Sequence, residues 1–317
     1  MIIHRFAWDD MPPVSSRRGA VAVGNFDGVH RGHAALLAEV RRQARAVGGP
    51  AVALTFDPHP LQLLRPEQFQ PVLTTTADRA ELLRTCGADR VLVLNTTPAL
   101  LHLSAAEFFQ QVLQDRLAAQ ALVEGVNFGF GRNREGTIET LSTLCHEAGV
   151  TLTIVPPVLR DGQPISSSRV RMALERGAVR EAAELLNRPY RLRGVVGSGR
   201  QRGRTIGFPT ANLERIETLL PRDGVYAVRV HRGRESWPGA ANLGPNPTFG
   251  ESARKVEVHL IGFQGDLLGQ TLVVDFLERL RDTRPFAGVA ELTEQLRRDV
   301  ESAQSIVARR ESVVRSP

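Results

Sequence analysis

The 317-residue chain predicts two folded parts: an α/β part built on a parallel sheet, then a small antiparallel β-barrel followed by a C-terminal helix. Three observations carry this reading. Over residues 1–185, short apolar runs alternate with helical patterns, as a parallel sheet covered by helices on both faces requires. From residue 186 onward, short alternating segments separated by Gly and Pro turns take over, a spacing that fits a small barrel. Over residues 289–309, apolar side chains recur at helical spacing. The domains are therefore expected at 1–185 and 186–317.

In the first part, residues 20–23, 51–55, 91–94, 121–123 and 151–155 are short, mainly apolar runs and read as buried strands. The segments between them, 34–46, 76–86, 105–118 and 137–148, read as helices. Gly48-Gly49-Pro50 and Gly149 supply stop signals. Residues 170–186 read as one further helix, broken at Asn187-Arg188-Pro189-Tyr190. In the second part, 192–196, 225–231, 256–261 and 271–276 read as strands.

Composition narrows the partners. A hydrophobic content of 42% with 23% charged residues is ordinary for a globular protein. No run of eighteen apolar residues exists, and the first ten residues lack the order of a signal peptide, so a cytoplasmic protein without a membrane partner is expected. Cys86 and Cys145 form no CxxC and read as reduced thiols. The net charge of +6 is carried almost wholly by arginine, with Lys255 the single lysine, and suits anionic ligands. The arginines are scattered and aromatics make up only 5%, so no nucleic-acid partner is expected. No motif bears on oligomeric state.

The densest motif is Gly24-Asn25-Phe26-Asp27-Gly28-Val29-His30-Arg31-Gly32-His33. It links the first strand to the first helix, a layout that presents backbone N–H groups to phosphate at the carboxyl edge of the sheet. His30 and His33, three apart at a helix start, share a face and can reach one ligand oxygen, where the helix dipole also favours negative charge. Neither GxxxxGK[ST] nor GxGxxG occurs, and HxxH without a third ligand is a poor zinc site. The motif points to a polyphosphate.

Further segments support it. Thr55-Phe56-Asp57-Pro58-His59-Pro60 stiffens the turn after the second strand and sets His59 at the same edge. Gly125-Val126-Asn127-Phe128-Gly129-Phe130-Gly131 allows close backbone approach and offers two phenylalanines that could border a flat ring. Ile165-Ser166-Ser167-Ser168-Arg169-Val170-Arg171 offers hydroxyls and a guanidinium fork to phosphate oxygens. In the second part a Gly- and Arg-rich loop leads into Pro209-Thr210-Ala211-Asn212. If that segment is extended, Thr210 and Asn212 present oxygens on one face to a hard cation. Glu257 stands between Val256 and Val258 on a predicted strand and faces away from both. Taken singly, these are ordinary turns, caps and solvent-facing residues. Their order along one chain is what is specific.

In that order they resemble a known family. GNFDGVHRGH is similar to the HxGH nucleotidyltransferase signature in the form carried by bacterial bifunctional riboflavin kinase/FMN adenylyltransferases (FAD synthetases), and ISSSRVR resembles that family's second motif. The run ending in Pro-Thr-Ala-Asn, with Val256-Glu257-Val258-His259 downstream, resembles its riboflavin kinase module. The resemblance covers nearly the whole chain from Ala20. It implies a Rossmann-like HxGH nucleotidyltransferase domain and a riboflavin kinase-like barrel, and an ATP-dependent transferase that makes FMN from riboflavin and then FAD and pyrophosphate from FMN.

The resemblance also implies roles. His30 and His33 hold ATP phosphate oxygens during adenylyl transfer, Gly24, Phe26 and Asp27 line the nucleotide loop, and Ser167, Ser168 and Arg171 hold the β- and γ-phosphates. His59 and Asn127 contact FMN. In the kinase, Gly199, Gly203 and Gly207 belong to the loop over ATP, Thr210 and Asn212 take ATP and Mg2+, Glu257 is the base, and Arg281 and Phe286 lie near the flavin. The partners implied are riboflavin, FMN, ATP and Mg2+. Leu268-Gly269 stands where Tyr-Gly is usual, Thr283 where an acidic residue is common and Asn187 where glycine is frequent; none of these removes a proposed catalytic group. Two rivals from other classes are a nucleic-acid-binding protein using the arginine excess and a flavin carrier without chemistry. A tRNA synthetase is disfavoured because no KMSKS-like lysine motif occurs.

Overall fold

The computed structural model describes residues 3–198, 206–245 and 254–315, with side chains through residue 310. The chain forms two compact units, Met1–Gln70 with Thr74–Ser166, and Pro71–Leu73 with Ser167–Pro317.

The first unit is a parallel sheet of β1 (Ile3–Phe6), β2 (Ala20–Val23), β3 (Ala51–Asp57), β4 (Arg90–Asn95), β5 (Ala121–Gly125) and β6 (Thr151–Val155), in the order β1-β4-β3-β2-β5-β6. Its helices are α1 (Arg31–Val47), α2 (Pro60–Leu64), α3 (Thr76–Thr85), α4 (Pro98–His102), α5 (Ala105–Glu107) and α6 (Ile138–Ala148), and a short antiparallel pair, β7 (Leu159–Arg160) and β8 (Gln163–Pro164), follows β6. The runs of β2 to β5 are mainly apolar because both sheet faces are buried there. Ala20, Ala22, Ala51 and Ala53 face α1, packing with Leu37 and Val40. Val21, Val23, Val52 and Leu54 face the other side, with Phe108, Phe109 and Leu141. The small residues let α1 lie close to the sheet, which brings its N-terminus to the end of β2. Gly48 and Gly149 end α1 and α6 in the left-handed conformation, as their stop signals predict.

Three expectations change in this region. A further strand, β1, pairs with β4 at the sheet edge. The expected helix 105–118 is α5 followed by a π-helical segment, Phe108–Arg116. The buried residues Phe108, Phe109, Val112 and Leu113 recur four to five apart, which suits the wider turn. The expected single helix 170–186 is two, α7 (Ser167–Glu175) and α8 (Val179–Leu186). Gly177, at φ +75°, divides them, and a Cβ there would stand 2.7 Å from the Arg279 side chain.

In the second unit, β9 (Tyr190–Gly197), β10 (Ala211–Glu214), β11 (Gly224–Arg232), β12 (Glu235–Gly244), β13 (Lys255–Leu260) and β14 (Thr271–Arg281) close an antiparallel barrel in the order β10-β13-β12-β11-β14-β9. Alternate side chains fill it: Tyr226, Val228, Val258, Leu272, Val274 and Phe276 are fully buried. Tyr226 and Phe276 meet edge to face at 5.2 Å. The helix α9 (Val289–Arg315) lays Ala303, Ile306 and Val307 on Ala227 and Leu277 outside the barrel. β10 and β12 are strands that the sequence pattern leaves out. β12 contains Pro238 and Gly239, both poor strand residues. Gly239 is required because a Cβ would stand 2.8 Å from the His259 carbonyl oxygen.

Candidate active sites

The sheet order reverses between β2 and β5, and the histidine motif leaves the carboxyl end of β2 at that switch point. The loop before α1 is tightly wound: Phe26, Gly28 and Val29 have φ of +48°, +80° and +40°. The left-handed region is costly for a β-branched valine, so the surrounding packing holds the loop in place. His30 caps α1, and its Nδ1 accepts the His33 backbone N–H at 3.4 Å. That bond puts the proton of a neutral His30 on Nε2. The two imidazoles stack at 3.7 Å between centroids, and Phe26 meets His33 edge-on at 5.3 Å. Gly32 makes the stack possible, since a Cβ would lie 3.1 Å from Cε1 and Nδ1 of His30 and 3.6 Å from the Ile165 carbonyl oxygen. Gly24 similarly admits the Phe26 ring, 3.3 Å from where its Cβ would be.

Asp27 is buried, and its Oδ1 accepts the Thr74 N–H at 3.1 Å and the Thr74 hydroxyl at 3.3 Å, while the same hydroxyl takes the Gly28 N–H at 3.2 Å. Asp27 therefore shapes the loop from beneath. Also beneath the loop lies the buried Arg79, at 3.4 Å from the Thr55 hydroxyl and from the carbonyls of Phe56 and Thr74. Burial pulls its guanidinium below the usual range, and the Asp27 and Asp57 carboxylates oppose that. Arg79 and Thr74 were not singled out from sequence: a charged residue inside a helical pattern reads as solvated face.

His59 caps α2, its Nδ1 taking the Leu61 N–H at 3.1 Å, and its ring leans on Phe69 at 5.7 Å. Asn127 is exposed in the turn after β5, and its carbonyl accepts from Arg134 at 3.3 Å. Of the two phenylalanines of that turn, Phe128 keeps a partly exposed side chain and Phe130 does not. Phe130 is buried in the core, with Phe128 packed against it, and the two rings stack at 5.4 Å. Ser167, Ser168 and Arg171 lie on the first turns of α7, which falls in the second unit.

On the barrel, Glu257 of β13 is register-paired with Asn212 of β10 and with Asn242 of β12. Val256 and Val258 are buried inside, so these three half-buried polar residues form one row on the outer face. Thr210 precedes β10 and, by alternation with the buried Ala211, belongs to the same face. His259, two residues beyond Glu257, donates from Nδ1 to the Pro209 carbonyl at 2.8 Å and meets Phe208 edge-on at 5.7 Å. This ties the Pro-Thr-Ala-Asn segment beside Glu257. Gly207 has φ +85°, which explains a glycine there. Gly199 and Gly203 lie outside the described residues. Arg281 and Phe286 are together, with the guanidinium 5.5 Å from the ring. Arg281 also grips the buried Asp299 of α9, at 2.8 Å from Nη2 and 3.0 Å from Nε, so its charge is already balanced.

Residues 13–169 match the family model described as FAD synthetase, and residues 186–307 the one described as riboflavin kinase. A bifunctional riboflavin kinase/FMN adenylyltransferase from Pseudomonas fluorescens is 40% identical over 92% of this chain and 94% of its own. The chain belongs to the bifunctional riboflavin kinase/FMN adenylyltransferase family. Another member, from Bacillus subtilis, is 34% identical over 90% of this chain and 92% of its own. A crystal structure described as a macrolide-efflux protein from Streptococcus pneumoniae superposes with a TM-score of 0.86 at 33% identity, covering 96% of this chain and 99% of that one. Efflux is said of that protein; among the described residues here, no helix is long and apolar enough to cross a membrane.

Leu268 is an exposed apolar side chain in this member of the bifunctional riboflavin kinase/FMN adenylyltransferase family. The residues that sequence reasoning missed sit opposite or beneath the motifs. Only His259 carried a local signal, since its spacing of two from Glu257 on a strand puts both on one face.

Proposed function

We propose that residues 186–317 phosphorylate riboflavin to FMN with ATP and that residues 1–185 adenylylate FMN to FAD with release of pyrophosphate. The observation that carries this reading is the presence, in one chain, of matches to both family models, each over a unit with its own polar constellation.

For adenylyl transfer, an oxygen of the FMN phosphate attacks the α-phosphorus of ATP, and the bond to pyrophosphate breaks. The attacking oxygen is already anionic, so no general base is needed. What the protein supplies is positioning and compensation of charge. His30 and His33 donate to phosphate oxygens above the N-terminus of α1, within the loop of Gly24, Phe26 and Asp27. Ser167, Ser168 and Arg171 hold the β- and γ-phosphates. His59 and Asn127 contact FMN. In the kinase, Glu257 accepts the proton of the ribityl 5′-hydroxyl as that oxygen attacks the γ-phosphorus, and the bond from the γ-phosphorus to ADP breaks. The segment containing Gly199, Gly203 and Gly207 covers the nucleotide, and Arg281 with Phe286 borders the flavin.

Mg2+ belongs to this reading. Thr210 and Asn212 offer hard oxygen donors on one face, and among the described residues no group of three His, Cys, Asp or Glu side chains forms a cage for a metal. That suits a cation held partly by substrate phosphates, as Mg2+ commonly is. When bound, it neutralises charge on the transferring phosphoryl group. In this reading the enzyme works in the cytoplasm on small molecules, and the scattered arginines and few aromatics support a reading without a nucleic-acid partner.

The test is a time course with riboflavin, ATP and Mg2+, products separated by chromatography. FMN appearing first and FAD following is expected. His33→Ala should abolish FAD formation alone, and Glu257→Ala riboflavin phosphorylation alone. Loss of both activities in either folded variant would refute the two-site assignment.

A further inference from the structure

Glu124 is a buried carboxyl group with no role in the reading above. It is 2% exposed, near the end of β5, and its Oε1 accepts the Val23 N–H at 2.7 Å. The place of that bond is informative. On one side, β2 pairs with β3 through Val23 and Leu54, and the Gly24 N–H still reaches the Leu54 carbonyl at 3.0 Å. On the other side, β2 pairs with β5 only as far as Val21 and Leu122. Beyond Val21 the two strands part, which opens the crevice at the switch point. The Val23 N–H has lost its ladder partner there, and a side chain of β5 replaces it.

We propose that Glu124 is a positioning residue for adenylyl transfer: its carboxyl bridges the parted ends of β2 and β5 and so fixes the distance between the loop 24–33 and the turn 125–127. The inference rests on the proposed function, in which the first lip holds ATP and the second contacts FMN. Val23 leads directly into Gly24, and Glu124 directly into Gly125. One hydrogen bond therefore registers the lips that carry the two reactants. Each lip keeps its own ligand contacts without the bridge, but the attacking oxygen and the α-phosphorus lose their alignment. The loss should appear in kcat and not in KM.

Burial holds the Glu124 carboxyl well above the usual carboxylate range, against the Val23 N–H, which lowers it. Glutamine keeps a side-chain oxygen at the same reach to accept the Val23 N–H. The test measures FAD formation from FMN by the full chain in three variants. Glu124→Gln should stay within about threefold of the parent. Glu124→Leu, similar in size without an acceptor, and Glu124→Asp, one methylene short, should each lose about tenfold or more in kcat. Their KM values for ATP and FMN should stay within about threefold, with the calorimetric stoichiometry of FMN binding unchanged from the parent. Riboflavin phosphorylation should be unchanged. If Glu124→Leu fails to fold, Glu124→Asp decides alone. The proposal falls if Glu124→Asp keeps the parental kcat, if the loss lies in KM, or if Glu124→Gln falls as far as Glu124→Leu. A parent chain that never converts FMN to FAD would instead sink the underlying assignment.

Discussion

Gly32→Ala should separate stability from adenylyl transfer, because the structure gives the two effects opposite signs. The new methyl group would stand 3.1 Å from two ring atoms of His30, with the Ile165 carbonyl oxygen at 3.6 Å. Contact at ease is about 3.5–4 Å, so something must retreat by about half an ångström, and an imidazole yields more readily than main chain. His30 cannot move alone: its Nδ1 is bonded to the His33 N–H, and its ring stacks on His33 at 3.7 Å. Both proposed phosphate donors shift together. Since a misplacement of about 1 Å costs about 100-fold, kcat/KM for FAD formation should fall by about 10- to 100-fold, or about 1.4–2.7 kcal/mol. Alanine in place of glycine in the first turn of α1 is otherwise worth about 0.5–1 kcal/mol of stability, so the melting temperature should hold or rise. Steady-state FAD formation and riboflavin phosphorylation in one preparation check this, the second reaction serving as an internal control. FAD formation within twofold of the parent would refute the reasoning and leave Gly32 as a helix-start residue only.

Asp275→Asn should cost about 1.5–3 kcal/mol near neutral pH, because Asp275 takes Arg191 at 2.6 and 2.8 Å and His231 at 3.0 Å. Although burial raises its pKa, Arg191 and His231 outweigh it and hold the carboxyl below its ordinary value. The contribution is thus complete above about pH 4, the unfolded value, and is lost as pH falls through the lower folded value; urea melts at pH 7 and pH 3 should show the gap closing. Asp299→Ala should destabilise the protein by about 2–4 kcal/mol, because it leaves Arg281, only 19% exposed, without its carboxylate; an unchanged urea midpoint would contradict this. Cys145 is buried and its thiol is pushed up to about 11 by burial. At pH 8 a thiol reagent should therefore label one cysteine per native chain, Cys86, and two after denaturation.

The sequence pattern announces strands whose side chains are mostly apolar and hides those whose residues answer to neighbours. β2 to β5 were legible because both faces of the sheet are covered there, and β6, none of whose residues is fully buried, through its β-branched Thr, Ile and Val. β1 was not, since His4 and Arg5 take half of its four residues. β12 was obscured by Pro238 and Gly239, which belong to it only because β13 passes close by. Gly177 looked tolerable inside a helical pattern and proved to be its end, for a reason lying on β14. The same division holds for the sites. His30 and His33 are adjacent through local helix geometry, and Thr210 with Asn212 through strand alternation. Arg79, Glu124 and Asn242 reach their positions through strand order and register, which no local pattern encodes.

The shortness of β10 has a consequence for how the protein fails. Among the described residues, Ala211 and Asn212 join it to β13, and residues 212–214 join it to β9. Among the described residues, these few rungs turn a five-stranded ribbon into a cylinder. Should they fray, β9 and β13 become bare edges, each ready to accept a strand from another molecule. Self-association on storage should then begin at this clasp, while the rest of the barrel is still intact.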